Sequence, residues 1–318
     1  MSNRVFIDGH AGTTGLRIRD WLAARDDLEL LEIDEAQRKD PEARRECLEA
    51  ADIAVLCLPD DAAAQAAEWL QASDTKILDA STAHRIADGW VYGLPELGEA
   101  QRQAISQARL VSNPGCYPSS VILALRPLVD AGLIPRDAAL SVHALSGYSG
   151  GGRQKIEEWE DPAGSLADLP YEAPYSLETR HKHLPEMTKH CALEYEPHFV
   201  PAVGAFACGM RVQLPLHASL LPSGVSAKAV WEVLQARYAE ENFVRVRPLL
   251  DNGSADEAAL DPRACNDTNR IELQVIGHEA GHILLVAILD NLGKGAAGVA
   301  IQNLNRMLGI DEARGLSA

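Results

Sequence analysis

The first 113 residues alternate between short apolar runs and amphipathic stretches. Four runs have the length and composition of buried strands, at residues 4–7, 28–33, 53–58 and 76–79. Helical patterns lie between them, at residues 16–24, from residue 41, and at residues 61–71. This alternation predicts a parallel sheet with helices on its faces, because each strand returns to the sheet through a helix.

The pattern changes after residue 116. Longer strand-like segments follow at residues 140–145, 210–217 and 271–276, with helices at 226–238 and after Pro185, whereas 150–175 has the composition of a surface loop. These segments predict an α+β domain with a largely antiparallel sheet. With 318 residues, we expect an α/β protein of two domains. The Rossmann-type parallel-sheet domain comprises residues 1–115 with a C-terminal helix at 294–318, and the α+β domain, catalytic and oligomerising, comprises residues 116–293.

A glycine-rich turn, DGHAGTTG, follows the first strand and precedes the first helix. Glycines at this junction allow the backbone to approach a pyrophosphate, which the helix N-terminus then binds. A tight turn without a ligand is the alternative. The residues predicted to bind a dinucleotide here are Gly9, Ala11, Gly12, Thr13, Thr14 and Gly15.

The choice of dinucleotide depends on the residues after the second strand. Asp34 lies where an acid would bind a ribose 2′-hydroxyl, whereas Arg38 and Lys39 follow where cations would bind a 2′-phosphate. The carboxylate of Asp34 can turn away from a 2′-phosphate, whereas two adjacent cations without such a ligand are harder to explain. We predict NADP(H), with Arg38 and Lys39 as ordinary surface charges in the alternative.

Cys116 lies in the segment SNPGCYP, directly ahead of a predicted helix. The helix dipole contributes about 0.3–1 kcal/mol, less than the 1.36 kcal/mol that corresponds to about one pKa unit. A basic partner is therefore needed to produce a thiolate. We predict that Cys116 is a nucleophile; a buried, inert thiol is the alternative.

Two histidine motifs stand out downstream. In HKHLPE, His181 and His183 are candidate acid/base residues, with Glu186 to orient or polarise them. A surface loop or a metal site is the alternative, although two alternating histidines do not complete a closed site. HEAGH, residues 278–282, has the pattern of a zinc protease, but its flanks are strand-like and it contains Gly281. It therefore predicts a hairpin turn, and we expect no metal.

Two further clusters have the chemistry of anion sites. SGYSGGGR offers backbone N–H groups from Ser146 and Gly147 together with the guanidinium of Arg153. DASTAHR lies at the carboxyl end of a predicted strand, where Ser81 is expected near the cofactor and Arg85 near a phosphate. A surface linker and a simple capped turn are the respective alternatives. Asn113, just before Cys116, is also predicted to contact the substrate.

The composition excludes several classes of partner. A formal net charge of −17 opposes binding to nucleic acid or to an anionic membrane surface. The six cysteines form no CxxC pair, there is no signal-like N-terminus, and no stretch reaches about 18 apolar residues. We therefore expect a soluble cytoplasmic protein with a small-molecule substrate.

Taken together, these motifs resemble those of N-acetyl-γ-glutamyl-phosphate reductase, in its shorter form, a family related to aspartate-semialdehyde dehydrogenase. The resemblance extends over nearly the whole chain and includes a sixth motif, DNLGKGAAG at residues 290–298. It implies that Cys116 is the nucleophile and that His181 is the acid/base, with His183 and Glu186 beside it. It also implies a cofactor site lined by Asn291, Leu292, Lys294 and Gly295.

The implied reaction is the NADPH-dependent reduction of N-acetyl-L-glutamyl 5-phosphate to the 5-semialdehyde through a Cys116 thioester, a step of arginine biosynthesis, in a dimer or tetramer. Two other functions remain open. One is the same chemistry on aspartyl phosphate, whose free ammonium would need an acidic partner. The other is a nucleotide-binding redox sensor without catalysis, which would not need a nucleophile with a base.

Overall fold

A computed structural model describes residues 2–164, 166, 169, 171–178, 180–251 and 256–318. The chain divides into two compact units. The first contains the residues up to Gly115 together with Ala296–Leu316, and the second contains Cys116–Gly295 with Ser317–Ala318. In the part of the chain that is described, no helix combines the length and the hydropathy needed to cross a membrane.

The first unit follows the predicted alternation. Its elements are β1 (Asn3–Asp8), α1 (Thr13–Leu22), β2 (Leu28–Leu31), α2 (Pro41–Ala50), β3 (Ile53–Leu56), α3 (Asp60–Trp69), β4 (Lys76–Asp79), β5 (Val91–Tyr92), α4 (Glu99–Gln107) and β6 (Leu110–Ser112). The strands form one sheet in the order β2-β1-β3-β4-β6-β5, and every pairing is parallel. β3 is buried along its whole length, as expected for a strand covered by helices on both faces.

The second unit is built around a larger sheet. Its elements are α5 (Cys116–Asp130), β7 (Ser141–Gly147), α6 (Gly152–Glu160), β8 (Glu172–Pro174), α7 (Leu184–His190), β9 (His198–Gly204), β10 (Met210–Leu216), α8 (Ala227–Tyr238), β11 (Val244–Val246), β12 (Leu250–Asp251), β13 (Ile271–Gly277) and β14 (Ile283–Leu289). The path is β11-β13-β14-β10-β7-β9-β8, with β12 beside β13. Four of these pairings are antiparallel and three are parallel, so the sheet is mixed.

The last helix, α9 (Gly298–Met307), belongs to the first unit. Its apolar side is formed by Ile301, Leu304 and Met307, which pack into the same core as β1 and α1. Its polar residues are buried as well. The amide of Asn303 donates to the carbonyl oxygen of Gly93 at 2.8 Å, so the helix is fixed by both packing and hydrogen bonds.

Two local predictions have different outcomes. The hairpin at HEAGH is confirmed, because β13 and β14 pair antiparallel and Gly281 adopts φ +81° in the turn between them. The loop predicted at residues 150–175 is wrong in part, because α6 and the short strand β8 lie within it. Residues 165, 167, 168 and 170 of that segment lie outside the described residues.

Candidate active site

Cys116 is the first residue of α5. It is only partly buried, unlike most of the residues that follow it in this helix. Its Cβ lies close to Gly295, where an added methyl group would come within 2.7 Å of it. Gly295 therefore allows the cysteine to keep its position.

A cavity of about 350 Å³ in the second unit contains Cys116 in its wall. The same wall includes the predicted residues Ser146, Gly147, His181 and His183. Several side chains in it were not predicted from the sequence, namely Tyr117, Lys155, Glu158, Trp159 and Tyr175. The structure therefore places a thiol, two imidazoles and two lysine side chains in the wall of one cavity.

The two histidines of HKHLPE lie side by side, with ring centroids 4.7 Å apart. His183 is the N-cap residue of α7 and is 6% exposed, and Glu186 follows in the first turn of that helix, almost fully buried. Burial, and to a smaller extent the neighbouring charge of Lys182, lowers the pKa of His181 to about 4. His181 is therefore a neutral imidazole at neutral pH.

Lys155 and Lys182 are the lysines that line this cavity, and Arg153 lies elsewhere. Residues two apart on a helix lie about 200° apart around its axis, so Arg153 and Lys155 face opposite sides of α6. The Arg153 side chain is 79% exposed, and its Nε lies 2.7 Å from Glu157. Lys155 points into the cavity and its Nζ lies 2.5 Å from Glu158. Arg153 is not in the wall of this cavity, and its contact with the substrate stays a prediction.

The motif DASTAHR is held by Asp79, whose carboxylate is fully buried at the end of β4. Asp79 accepts hydrogen bonds from the backbone N–H and the hydroxyl of Ser81, at 2.9 and 2.7 Å. Arg85 donates to the carbonyl oxygens of Asn113 and Ala80, at 2.9 and 3.1 Å. These contacts join the ends of β4 and β6. Cofactor binding by Ser81 and phosphate binding by Arg85 stay predictions.

The side chain of Asn113 is buried in the interior of the first unit. It is 1% exposed. Its amide nitrogen donates to the carbonyl oxygen of Ala296 at 3.0 Å, and its amide oxygen accepts from Asn303 at 3.1 Å. Both ends of the amide are thus hydrogen-bonded within the first unit, and contact of Asn113 with the substrate stays a prediction.

The DNLGKGAAG segment forms one π-helical turn ahead of α9. Lys294 is fully buried, and its ammonium lies 5.6 Å from the centroid of the Phe243 ring. Asn291 is also buried and donates to the hydroxyl of Ser149, and Leu292 is 8% exposed. These side chains stabilise the second unit itself. That Asn291, Leu292, Lys294 and Gly295 line a cofactor site stays a prediction, and Gly295 lies beside Cys116 as described above.

The glycine loop after β1 fits the diphosphate of a dinucleotide. Gly12 is the N-cap residue of α1, and no side chain caps the first backbone N–H groups of that helix, which begins at Thr13. Uncapped N–H groups at a helix N-terminus bind pyrophosphate oxygens. Gly9 has φ +87°, and an added Cβ would lie 2.3 Å from the carbonyl oxygen of Cys57, so no side chain fits there.

A cavity of about 380 Å³ lies beside this loop, and its wall includes Gly9, Arg38 and Lys39. Asp34 is used differently. Its carboxylate accepts the backbone N–H of Ala36 at 2.9 Å and so caps its own turn. Arg38 and Lys39 thus line the cavity, where the Nε of Arg38 also lies 2.7 Å from a carboxylate oxygen of Glu35, and binding of a 2′-phosphate by these two cations stays a prediction.

The histidines near the HEAGH turn form a separate group on the second unit. Nδ1 of His217, His278 and His282 each accepts a backbone N–H at 3.1 Å. In the neutral ring the proton is then on Nε2, which leaves no free nitrogen lone pair for a metal. Within the described residues, no group of three His, Cys, Asp or Glu side chains is arranged to bind a metal ion.

Comparison with known proteins places both units in one class. Residues 15–108 match the semialdehyde dehydrogenase NAD binding domain, and residues 116–291 match the semialdehyde dehydrogenase dimerisation domain. The crystal structure of aspartate semialdehyde dehydrogenase II from Vibrio cholerae complexed with ASA has the same fold, with a TM-score of 0.74 at 15% identity. That alignment covers 97% of this chain and 99% of that one.

Sequence comparison identifies the branch within this class. N-acetyl-gamma-glutamyl-phosphate reductase 2 of Pseudomonas putida is 49% identical over 98% of this chain and 98% of its own length. N-acetyl-gamma-glutamyl-phosphate reductase of Burkholderia cenocepacia is 47% identical over 97% of this chain and 98% of its own. The chain belongs to the N-acetyl-γ-glutamyl-phosphate reductase family of the semialdehyde dehydrogenases. It is an oxidoreductase with a nicotinamide-binding domain, and the predicted resemblance is confirmed.

Proposed function

We propose that this enzyme reduces N-acetyl-L-glutamyl 5-phosphate to N-acetyl-L-glutamate 5-semialdehyde with NADPH, releasing phosphate, as a step of arginine biosynthesis. The observation that carries the proposal is the cavity that joins Cys116, at the start of α5, with two imidazoles and Lys155. This is the set of groups that acyl transfer to a thiol requires. The names of the relatives support the same substrate.

The reaction proceeds through a thioester on Cys116. The thiolate attacks the acyl carbon, the C–S bond forms, and the C–O bond to phosphate breaks. A nicotinamide cofactor, when bound, would supply the hydride that reduces the thioester carbonyl. The C–S bond then breaks, which releases the aldehyde and restores the thiolate. Backbone N–H groups at the start of α5 are placed to stabilise the oxyanion.

The two histidines have different roles in this scheme. A base with a pKa of about 4, as burial gives His181, is mostly unable to hold a proton at neutral pH. We assign the removal of the Cys116 proton to His183, which is buried at the start of α7, where Glu186 lies in the first turn. His181 acts as a neutral N–H donor.

The wall of the cavity favours an acetylated substrate over one with a free ammonium. Among its described residues, Glu158 is the one carboxylate, and Lys155 already neutralises it at 2.5 Å. A free ammonium would therefore lack an acidic partner. Apolar residues in the same wall, such as Leu166 and Val203, can pack against an acetyl methyl group.

Turnover of the purified protein tests this function. N-acetyl-L-glutamyl 5-phosphate and L-aspartyl 4-phosphate are compared with NADPH under the same conditions. We expect kcat/KM to be at least about a hundredfold higher for the acetylated substrate, the difference that an unpaired buried ammonium produces. Equal turnover of the two, or a preference for aspartyl phosphate, would refute the assignment.

Lys155 is predicted to bind an anionic group of the substrate. Lys155→Met keeps the aliphatic stem, which lies across Gly151, and removes the charge. We expect KM for the acyl phosphate to rise about three- to tenfold, a modest effect because the side chain is 44% exposed and solvent screens the charge.

Arg153→Met is the matched control for this prediction. It removes a cation two residues away on the opposite side of the same helix. Initial rates should be measured over a range of acyl phosphate concentrations. An equal rise in KM for both variants would mean that Lys155 acts only through the overall charge.

For the cofactor we propose a preference for NADPH, supported by Arg38 and Lys39 in the wall of the cavity beside Gly9. Replacing both cations by alanine should raise KM for NADPH by about tenfold or more, because charge-assisted hydrogen bonds to the 2′-phosphate are lost. KM for NADH should change little.

Arg45→Ala is the control for this pair. Arg45 is on α2, half-exposed and paired with Glu49, and does not line the cavity. KM for both cofactors should be compared in all variants. Equal effects of the double substitution on NADPH and NADH would contradict binding of the 2′-phosphate.

The chain matches a dimerisation domain over residues 116–291, which supports a homo-oligomer. We propose a dimer or a dimer of dimers whose subunit contact is made by the second unit. A cytoplasmic location is part of the same proposal, because all six cysteines are free thiols, as a reducing compartment would keep them.

A further inference from the structure

Tyr175 connects the cavity histidine to the residue after the nucleophile. Its hydroxyl donates to the hydroxyl of Tyr117 at 3.2 Å and lies 3.3 Å from Nε2 of His181. Tyr117 directly follows Cys116 in α5, and all four side chains line the same cavity. Neither tyrosine was among the residues predicted from the sequence.

The hydrogen bonds of His181 define which ring nitrogen carries the proton. Nδ1 accepts the backbone N–H of His183 at 3.2 Å. A nitrogen that accepts a hydrogen bond uses its lone pair, so the proton of the neutral ring is on Nε2. Nε2–H then donates a hydrogen bond to the hydroxyl of Tyr175, and that hydroxyl donates its own hydrogen bond to the hydroxyl of Tyr117.

The two hydrogen bonds therefore run in one direction, since His181 donates to Tyr175 and Tyr175 donates to Tyr117. Burial raises the pKa of both tyrosines above the ordinary value, so both hydroxyls keep their protons at neutral pH. A protonated His181 would place a second N–H opposite the backbone N–H of His183. That arrangement is repulsive, so the contacts favour the neutral ring.

We propose that Tyr175 is a positioning residue that orients Nε2–H of His181, in the tautomer that the backbone N–H of His183 selects, so that this imidazole serves the reaction as a hydrogen-bond donor. The inference rests on the proposed function for the identity of the acceptor. An oxyanion at the acyl carbon is a stronger acceptor than a neutral phenol, because charge-assisted hydrogen bonds are roughly twice as strong. It can therefore take over Nε2–H from Tyr175 as negative charge develops.

Tyr175→Phe tests this role. We expect kcat to fall about tenfold, the effect of one lost hydrogen bond that orients a catalytic group. KM for NADPH should stay unchanged. Tyr171→Phe is the matched control, because Tyr171 is 67% exposed and lies four residues earlier.

Tyr117→Phe removes the hydroxyl that accepts from Tyr175 and should reduce kcat less, by about two- to threefold.

Nitrogen-15 NMR of the full-length protein with labelled histidine gives a readout that a purely structural role would not change. His181 is assigned from the signal that is lost in His181→Gln. In the wild type we expect its Nε2–H tautomer from pH 6 to 8, and in Tyr175→Phe the same tautomer with a shifted Nε2 resonance, because Nδ1 still accepts the backbone N–H of His183 whereas the partner of Nε2–H is lost.

Two results would overturn the proposal, namely an Nδ1–H tautomer of His181 in the wild type, or wild-type kcat in a folded Tyr175→Phe. If Tyr175→Phe does not fold, the proposal is tested by the wild-type spectrum and by Tyr117→Phe. A wild-type kcat in Tyr117→Phe would then contradict the proposed series of hydrogen bonds. Lack of turnover with the acetylated substrate would refute the proposed function while the tautomer assignment stands.

Discussion

Cys116→Ser should reduce turnover by at least about a thousandfold, as expected when a covalent nucleophile is removed. A serine hydroxyl has almost the same size, but it is not ionised at neutral pH and is a much weaker nucleophile. Because Cys116 is only partly buried, the substitution should leave the free energy of unfolding nearly unchanged. Steady-state rates with N-acetyl-L-glutamyl 5-phosphate and NADPH provide the measurement.

Cys191→Ser is the control for the loss of a thiol. Cys191 is fully buried, and burial raises the pKa of its thiol, so it is an inert core cysteine. Its substitution should lower stability and leave kcat of the folded protein close to the wild-type value. If Cys116→Ser kept more than a few per cent of wild-type turnover, the covalent mechanism would be wrong.

Gly295→Ala should have the second largest effect. The added Cβ would lie 2.7 Å from the Cβ of Cys116 and 3.2 Å from the carbonyl oxygen of Asp290, so the cysteine must move. A displacement of about 1 Å at a reacting group costs about a hundredfold in rate. We expect kcat to fall by about that factor, with a smaller change in KM.

Gly132→Ala separates this effect from a general loss of stability. Nothing lies within 4 Å of a Cβ added at Gly132, although its φ of +69° makes alanine unfavourable there. The control should lower the melting temperature and leave kcat unchanged. If Gly295→Ala turned over like the wild type, the close contact with Cys116 would have no role in catalysis. The rate of alkylation of Cys116 reports its displacement directly.

The first unit could be predicted from sequence because its signals are local. Each strand of its parallel sheet is a short apolar run next to a helix, and β3 with the sequence IAVL is buried throughout. The second sheet combines parallel and antiparallel pairings. Neighbours such as β7 and β9 pair in parallel across more than fifty residues, with Ser141 opposite His198. No local pattern encodes that pairing.

Motif composition singled out Cys116, His181 and His183, which line one cavity, but it did not single out Lys155 in the same wall. The run of three consecutive glycines in SGYSGGGR indicates a loop, so the helix that starts at Gly152 was not predicted. Once α6 is recognised, the spacing of Arg153 with Glu157 and of Lys155 with Glu158 separates an exposed side from a cavity side. The helical period was the signal that could have identified Lys155.

The burial of Asn113 and Lys294 could not be predicted either. Both are polar residues in functional motifs, and such residues are usually exposed to a ligand. Their partners lie far away in the sequence, since Asn113 bonds to Asn303 and Lys294 lies against Phe243. Only the tertiary structure brings these pairs together, so a motif match alone does not show these contacts.

The central claim is that the acyl group is exchanged between Cys116 and phosphate, and the reverse reaction tests it most directly. Oxidation of N-acetyl-L-glutamate 5-semialdehyde with NADP⁺ is followed by absorbance, with and without inorganic phosphate or arsenate. An oxyanion must cleave the Cys116 thioester, so we predict that NADPH formation depends on added phosphate or arsenate and stops after one turnover without them. A full steady-state rate without any oxyanion would contradict the claim, because water would then release the acyl group, as in a plain aldehyde dehydrogenase.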